Sequence, residues 1–209
     1  MIMTDTKSLM YMAPVIPVIV VHELRHAQPL AQALVEGGLK VLEVTLRTDI
    51  AMEAMIAMQE VNGAIVGVGT AMNTADLERS QKAGAQFAVS PGYTSSMGKT
   101  AKAMNLPLLP GVSSGSEIMQ AAEDGYTELK FFPAKQAGGA AMLKAFAGPF
   151  KEALFCPTGG INIDTANDYL ALPNVACVGG SWVAPAELVN DNDWSAITEL
   201  AKQAKQLPN

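Results

Sequence analysis

Eight apolar, β-rich runs recur along the chain, and each is followed by a stretch of helical periodicity. The runs occupy 15–21, 39–47, 65–70, 86–91, 107–112, 127–133, 153–158 and 175–179. The helical stretches cover 23–36, 50–61, 74–83, 95–104, 116–123, 140–150 and 165–172, with a last one at 194–206. Gly37-Gly38, Gly63, Gly84 and Gly125 punctuate helix ends. Strand–helix alternation of this kind is the pattern of a (β/α)8 barrel. The chain is short for that architecture, near its lower bound of about 200 residues. Short βα units with few insertions account for the economy. An open doubly wound sheet competes, but normally needs fewer strands for this length. The expectation is an α/β fold: one (β/α)8 TIM barrel domain over residues 1–209, with a short N-terminal helix.

With 49% hydrophobic residues the chain can bury a substantial core. No apolar run approaches the ~18–20 residues of a membrane span. Met1-Ile2-Met3-Thr4-Asp5-Thr6-Lys7 lacks a cationic segment followed by an apolar one, so no signal peptide is expected. A net charge of −6, with arginine only at 25, 47 and 79 and scattered lysines, argues against a nucleic-acid partner. Cys156 and Cys177 lie in apolar runs and read as reduced, buried thiols of a cytoplasmic protein.

Strand side chains alternate between faces. In the second run Leu42, Val44 and Leu46 share one face and Glu43, Thr45 and Arg47 the other. In a barrel the apolar set packs under helices, so the polar set points inward. Glu43 and Arg47 lie four residues apart, roughly 13 Å along an extended strand, and read as separate members of one site. Arg47 falls at the C-terminal strand end, where barrel enzymes keep their chemistry. In the sixth run, Thr127-Glu128-Leu129-Lys130-Phe131-Phe132-Pro133, the same parity turns Lys130 inward. Desolvation disfavours a charged amine, and a neutral lysine amine forms Schiff bases with carbonyl substrates. A snorkelling lysine is the plainer alternative. A carboxylate at Glu43 sharing the interior opposes the loss of charge.

Pro157-Thr158-Gly159-Gly160 ends the seventh run and Val178-Gly179-Gly180-Ser181 the eighth. Glycines there let backbone N–H groups approach an anion, and barrels frequently bind phosphate at these two loops. Gly67-Val68-Gly69-Thr70 lacks the third glycine of a dinucleotide fingerprint. His22-Glu23-Leu24-Arg25-His26 fits the H-E-x-x-H pattern of zinc proteases. These are the only two histidines, so a third ligand would have to be a carboxylate, and two solvent-facing histidines at a helix start explain the motif as well. No metal is expected.

Pro14-Val15-Ile16-Pro17-Val18-Ile19, Glu43-Val44-Thr45-Leu46-Arg47-Thr48, Lys130-Phe131-Phe132-Pro133-Ala134, Phe155-Cys156-Pro157-Thr158-Gly159-Gly160 and Val178-Gly179-Gly180-Ser181-Trp182 together resemble the bacterial 2-keto-3-deoxy-6-phosphogluconate and 4-hydroxy-2-oxoglutarate aldolases. The resemblance runs from about Pro14 to the final helix. It implies a cytoplasmic, homotrimeric class I aldolase on a (β/α)8 barrel. Its substrates are 2-keto acids, including phosphosugar acids, and it uses no cofactor beyond the covalent Schiff base. By motif, Lys130 resembles the Schiff-base lysine and Glu43 the general acid/base. Arg47 resembles the group that grips the substrate carboxylate, and Thr70 a further contact on that side. Pro91 and Phe132 look like wall residues. Thr158, Gly159, Gly160, Gly179, Gly180 and Ser181 belong to the substrate site, with the glycine pairs and Ser181 on phosphate. Two other classes remain: a metal-dependent lyase or hydrolase using His22 and His26, and a non-catalytic phosphosugar-binding barrel.

Overall fold

The computed structural model describes residues 5–208, so residues 1–4, part of the stretch read for a leader, lie outside it. The chain runs α1 (Thr6–Met10), β1 (Val15–Ile19), a 3-10 turn (Leu24–His26), α2 (Ala27–Glu36), β2 (Val41–Thr45), α3 (Ala51–Gln59), β3 (Ile65–Gly69), α4 (Thr74–Lys82), β4 (Ala88–Val89) and α5 (Ser95–Ala103). It continues through β5 (Leu108–Leu109), β6 (Gly111–Val112), α6 (Gly115–Glu123), β7 (Glu128–Phe131), α7 (Gly139–Phe146), β8 (Leu154–Pro157), α8 (Ala166–Leu170), β9 (Val178–Gly180), α9 (Ala186–Asn190) and α10 (Trp194–Lys205).

This is a single α/β domain with a curled parallel sheet. One ladder has the order β5-β4-β3-β2-β1-β9 and a second the order β6-β7-β8. Every strand pair is parallel. The two ladders meet at Pro110, which separates β5 from β6, and at isolated parallel bridges Phe155↔Val175 and Thr158↔Gly179. The fifth expected run is therefore two short strands. Proline has no N–H to give a ladder, although the Pro110 carbonyl still accepts from Lys130 N–H at 2.8 Å.

Two apolar layers follow from strand parity. Leu42, Val44, Leu129, Phe131 and Phe155 face outward into the core beneath the helices. There Phe131, Phe146, Phe150 and Phe155 stack and meet edge to face. Burying each large apolar side chain stabilises the fold by about 1.5–3 kcal/mol. Ile16, Val41, Phe87, Val89, Leu109, Cys156, Ala176 and Cys177 form a second, inner cluster. Leu9 and Met10 join it from α1, whose first turn is capped by Asp5 accepting from Ser8 N–H at 2.7 Å. The short N-terminal helix thus covers the N-terminal ends of the strands from below.

The helix starts are written locally. Asn73 caps α4, Thr94 caps α5, Asp193 caps α10, and Ser114 with Glu117 makes a full capping box on α6. α9 lies outside the expected helical stretches: five residues after Pro185 are too few for periodicity to register.

Candidate active site

Lys130 sits mid-way along β7, in register with Gly111 on one side and Cys156 on the other. Leu129 and Phe131 pack outward, so Lys130 projects inward. Its Nζ donates to Glu43 Oε1 at 3.0 Å, and the two residues are only 5% and 3% exposed. The ammonium also lies 5.4 Å from the Phe132 ring centroid. A lone charge here would be expelled by its desolvation cost, whereas a paired one is tolerated. Lys130 does not snorkel; it is buried with a partner.

Glu43 lies in register with Val18 on β1 and Gly67 on β3. Its carboxylate reaches over Gly69, where an added Cβ would overlap Glu43 Oε1 and Cγ. Two threonines lash β2 to the end of β1. Thr45 Oγ1 donates to the Ile19 carbonyl, and Thr48 Oγ1 to the Val21 carbonyl, both at 2.8 Å. Arg47 follows β2, exposed, and has no ion-pair partner among the described residues. Thr70 follows β3 with φ +61°, a left-handed backbone that β-branched residues adopt at a cost. Pro91 and Phe132, each half-buried, follow β4 and β7.

Thr158, Gly159 and Gly160 follow β8, Gly179 and Gly180 close β9, and Ser181 comes next. The Thr158↔Gly179 bridge brings these segments side by side. Gly179 lacks the Cβ that would collide with Thr158 Oγ1. Gly159 and Gly160 take φ of +106° and +73°, which glycine alone adopts freely. All the expected substrate residues thus lie at C-terminal strand ends. Lys130 touches both Glu43 and the Phe132 ring, and no hydrogen bond among the described residues joins the other expected residues to that ion pair.

Beside the pair lie Cys156, in register with Lys130, and Cys177, both buried and free, as read from sequence. Burial pushes the Cys177 thiol well up, and Cys156 and the Glu43 charge add to the rise. The Cys177 thiol therefore adds no charge beside Glu43.

The histidine motif folds differently from its reading as two solvent-facing side chains. His22 is exposed, but His26 is 2% exposed and packs on Trp194 with ring centroids 5.8 Å apart. Residues 24–26 form a 3-10 turn, so the two imidazoles do not share an α-helical face. Among the described residues no three His, Cys, Asp or Glu side chains gather as a metal-ligand set. Sequence reading also gave no role to Gly69. Its signal was the alternation Gly67-Val68-Gly69, which clears space on the inward face beside an inward carboxylate.

The chain is similar over almost its whole length to proteins of known activity. The model of a family described as "KDPG and KHG aldolase" matches residues 6–200. The KHG/KDPG aldolase of Escherichia coli (strain K12) is 50% identical over 202 residues, covering 96% of this chain and 95% of that one. The crystal structure of the 2-keto-3-deoxy-6-phosphogluconate aldolase of Zymomonas mobilis ZM4 with 3-phosphoglycerate superposes with a TM-score of 0.95 at 48% identity, covering 99% of this chain and 98% of that one. The KDPG aldolase of Legionella pneumophila, with pyruvate captured at low pH as a covalent carbinolamine intermediate, gives a TM-score of 0.95 at 46% identity, covering 97% of this chain and 99% of that one. The chain belongs to the KDPG and KHG aldolase family.

Proposed function

We propose that this chain is a class I aldolase. It cleaves 2-dehydro-3-deoxy-6-phosphogluconate to pyruvate and glyceraldehyde 3-phosphate, and 4-hydroxy-2-oxoglutarate to pyruvate and glyoxylate. The observation that carries this reading is the buried contact between Lys130 Nζ and Glu43 Oε1 at 3.0 Å. A structural ion pair gains little from such burial, because desolvation offsets most of the attraction. A Schiff-base lysine gains a proton acceptor already in place.

The proton passes from Nζ to Oε1 along the existing contact. The pair is neutral overall before and after, so the apolar interior opposes this transfer less than it would a lone charge. The free amine attacks the 2-keto carbon. Glu43 protonates the carbinolamine hydroxyl, which leaves as water and gives an iminium. Glu43, directly or through a water, then takes the proton of the C4 hydroxyl. The C3–C4 bond breaks as its electron pair moves into the iminium, releasing the aldehyde and leaving an enamine. Protonation at C3 and hydrolysis free pyruvate and Lys130. A positioned proton shuttle contributes about 10²–10⁴-fold. The raised Cys177 thiol adds no competing charge beside Glu43.

In this reading Arg47 takes the substrate carboxylate with Thr70 beside it, and Pro91 and Phe132 form walls. Thr158, Gly159, Gly160, Gly179, Gly180 and Ser181 receive the phosphate. In the same reading the chain closes as one (β/α)8 barrel, which the Pro110 junction and the Thr158↔Gly179 bridge between the two ladders support. The family resemblance supports a cytoplasmic homotrimer. No helix among the described residues is long and apolar enough to cross a membrane.

Borohydride reduction in the presence of pyruvate tests the proposal: an adduct of pyruvate mass belongs on the Lys130 peptide. Labelling elsewhere, or none, overturns it. Lys130→Ala abolishes turnover, whereas Lys135→Ala retains most of it. Activity that survives borohydride but is lost to chelators returns a metal-dependent enzyme. Ligand binding without trapping returns a non-catalytic barrel.

A further inference from the structure

A cavity of about 300 Å³ opens beside the candidate site, between the ends of β1 and β9. Val18, Val20, His22, His26, Ser181 and Asn190 are among its walls. Val18 is the register partner of Glu43, so one wall begins on the strand next to the one that carries Glu43, about 4.8 Å between backbones across the sheet. Ser181, at the opposite wall, follows the glycine pair of β9. The cavity thus shares Ser181 with the candidate substrate residues, while Lys130 and Glu43 lie outside its lining.

Its chemistry is unusual in one respect. None of its described lining residues is a lysine, arginine, aspartate or glutamate, and the chain's only two histidines both line it. His26 is 2% exposed, and its Nε2 is buried without a hydrogen-bond partner. An unpaired buried ring nitrogen carries a desolvation cost that a ligand removes. The Trp194 ring and a backbone bond from His26 N–H to the Glu23 carbonyl hold the residue in place. His22 is exposed at the opening, and the carbonyl just before it, on Val21, is tied down by Thr48. Nearby Glu23 and Arg25 pair with each other at 2.9 Å and do not line the cavity; nor do Glu187 and Asp191 at α9.

We propose that His22 and His26 select for substrates with a distal phosphoryl group, donating imidazole N–H groups to the phosphoryl oxygens of a phosphorylated 2-keto-3-deoxy acid lodged between them and Ser181. This rests on the aldolase reading above and adds specificity residues to it. The shorter dicarboxylate substrate ends before this cavity and does not use the imidazoles. An apolar wall of valines strengthens any hydrogen bond made within it. Neither histidine contacts Lys130 or Glu43, so their contribution falls on substrate affinity.

The test compares both substrates on the full-length wild type, His22→Gln and His26→Gln. His22→Gln, at an exposed position, raises KM for the phosphorylated substrate about tenfold, the loss of one charge-assisted hydrogen bond. It changes kcat little, and leaves kcat/KM for 4-hydroxy-2-oxoglutarate within about twofold. Inorganic phosphate competes with the phosphorylated substrate in the wild type and more weakly in the variant. His26→Gln, checked for retained folding by its thermal transition, shifts KM in the same selective way. Equal losses on both substrates, or none, overturn the inference. So does a selective loss in Lys135→Ala, whose stem runs alongside Gly160, in place of His22→Gln. Borohydride trapping of pyruvate on Lys130 in the same preparations separates the two levels. Trapping without histidine-dependent selectivity defeats this inference alone; absence of trapping in the wild type defeats the aldolase reading.

Discussion

Gly69 and Glu43 compete for the same space: a Cβ on the glycine would clash with the carboxylate Oε1 and with Cγ behind it. The acid/base candidate is therefore placed by what β3 lacks as well as by what β2 carries. Gly69→Ala must push Glu43 aside or shift the β2–β3 pairing, which runs in register from Val41↔Ile65 to Thr45↔Gly69. Overpacking of this kind costs about 1–3 kcal/mol. Activity should fall at least about 100-fold, because geometric misplacement near 1 Å costs that much. Urea unfolding and steady-state assays read both, and a fully active variant would show that Glu43 has room to move.

The buried pair makes opposite predictions for single and double substitutions. Lys130→Met or Glu43→Gln leaves one group without its partner, which typically costs 3–5 kcal/mol when the survivor stays charged. Lys130→Met with Glu43→Leu should be more stable than Lys130→Met alone. All three should be inactive. A double variant no more stable than the single would mean that the pair itself stabilises the fold.

Thr70 carries backbone strain at φ +61°. A left-handed conformation costs an L-residue about 1–2 kcal/mol, part of which glycine returns as unfolded-state entropy. Thr70→Gly should thus gain about 0.5–1 kcal/mol in stability while kcat/KM drops. Higher melting temperature with lower activity marks strain held for function; a lower melting temperature removes that reading.

Glu117 gives a pH dependence far from the candidate site. Burial alone would raise its carboxyl, but the Ser113 N–H, the Ser114 and Ser113 hydroxyls and the Ser114 N–H hold it below the ordinary value of 4.5. A depressed carboxyl contributes stability above pH 4.5 and loses it as pH falls through the lower folded value. Glu117→Gln should cost about 0.5–1 kcal/mol near neutrality, the size of a helix cap. The difference from wild type should close in acid, as followed by unfolding at several pH values.

Much of this arrangement was legible because strand parity is a local property. The alternation in Leu42-Glu43-Val44 and Leu129-Lys130-Phe131 states which side chains face inward before any contact is known. The meeting of Glu43 and Lys130, 87 residues apart, follows once both faces line one interior. What parity does not carry is long-range partnership. His26 read as solvent-facing because its cover, Trp194, belongs to the last helix. Strand lengths were overread where a turn intervenes: 86–91 yields only Ala88–Val89 as β4, and Pro110 splits 107–112. The α9 helix is too short to leave a period. Gly69 was visible, but its purpose appears only when Glu43 is laid across it.

The packing of Leu9 and Met10 beneath the inner cluster has a kinetic corollary. Leu9 and Met10 fill one side of the inner cluster, and the candidate substrate residues lie at the strand ends on the other. In the proposed reaction the fragment tethered at Lys130 is held covalently until hydrolysis, so the aldehyde departs first and pyruvate last. Run in reverse, pyruvate must bind before the aldehyde; the covalent tether sets that order, and the five-residue helix leaves the strand-end face as the side where both would meet the candidate residues.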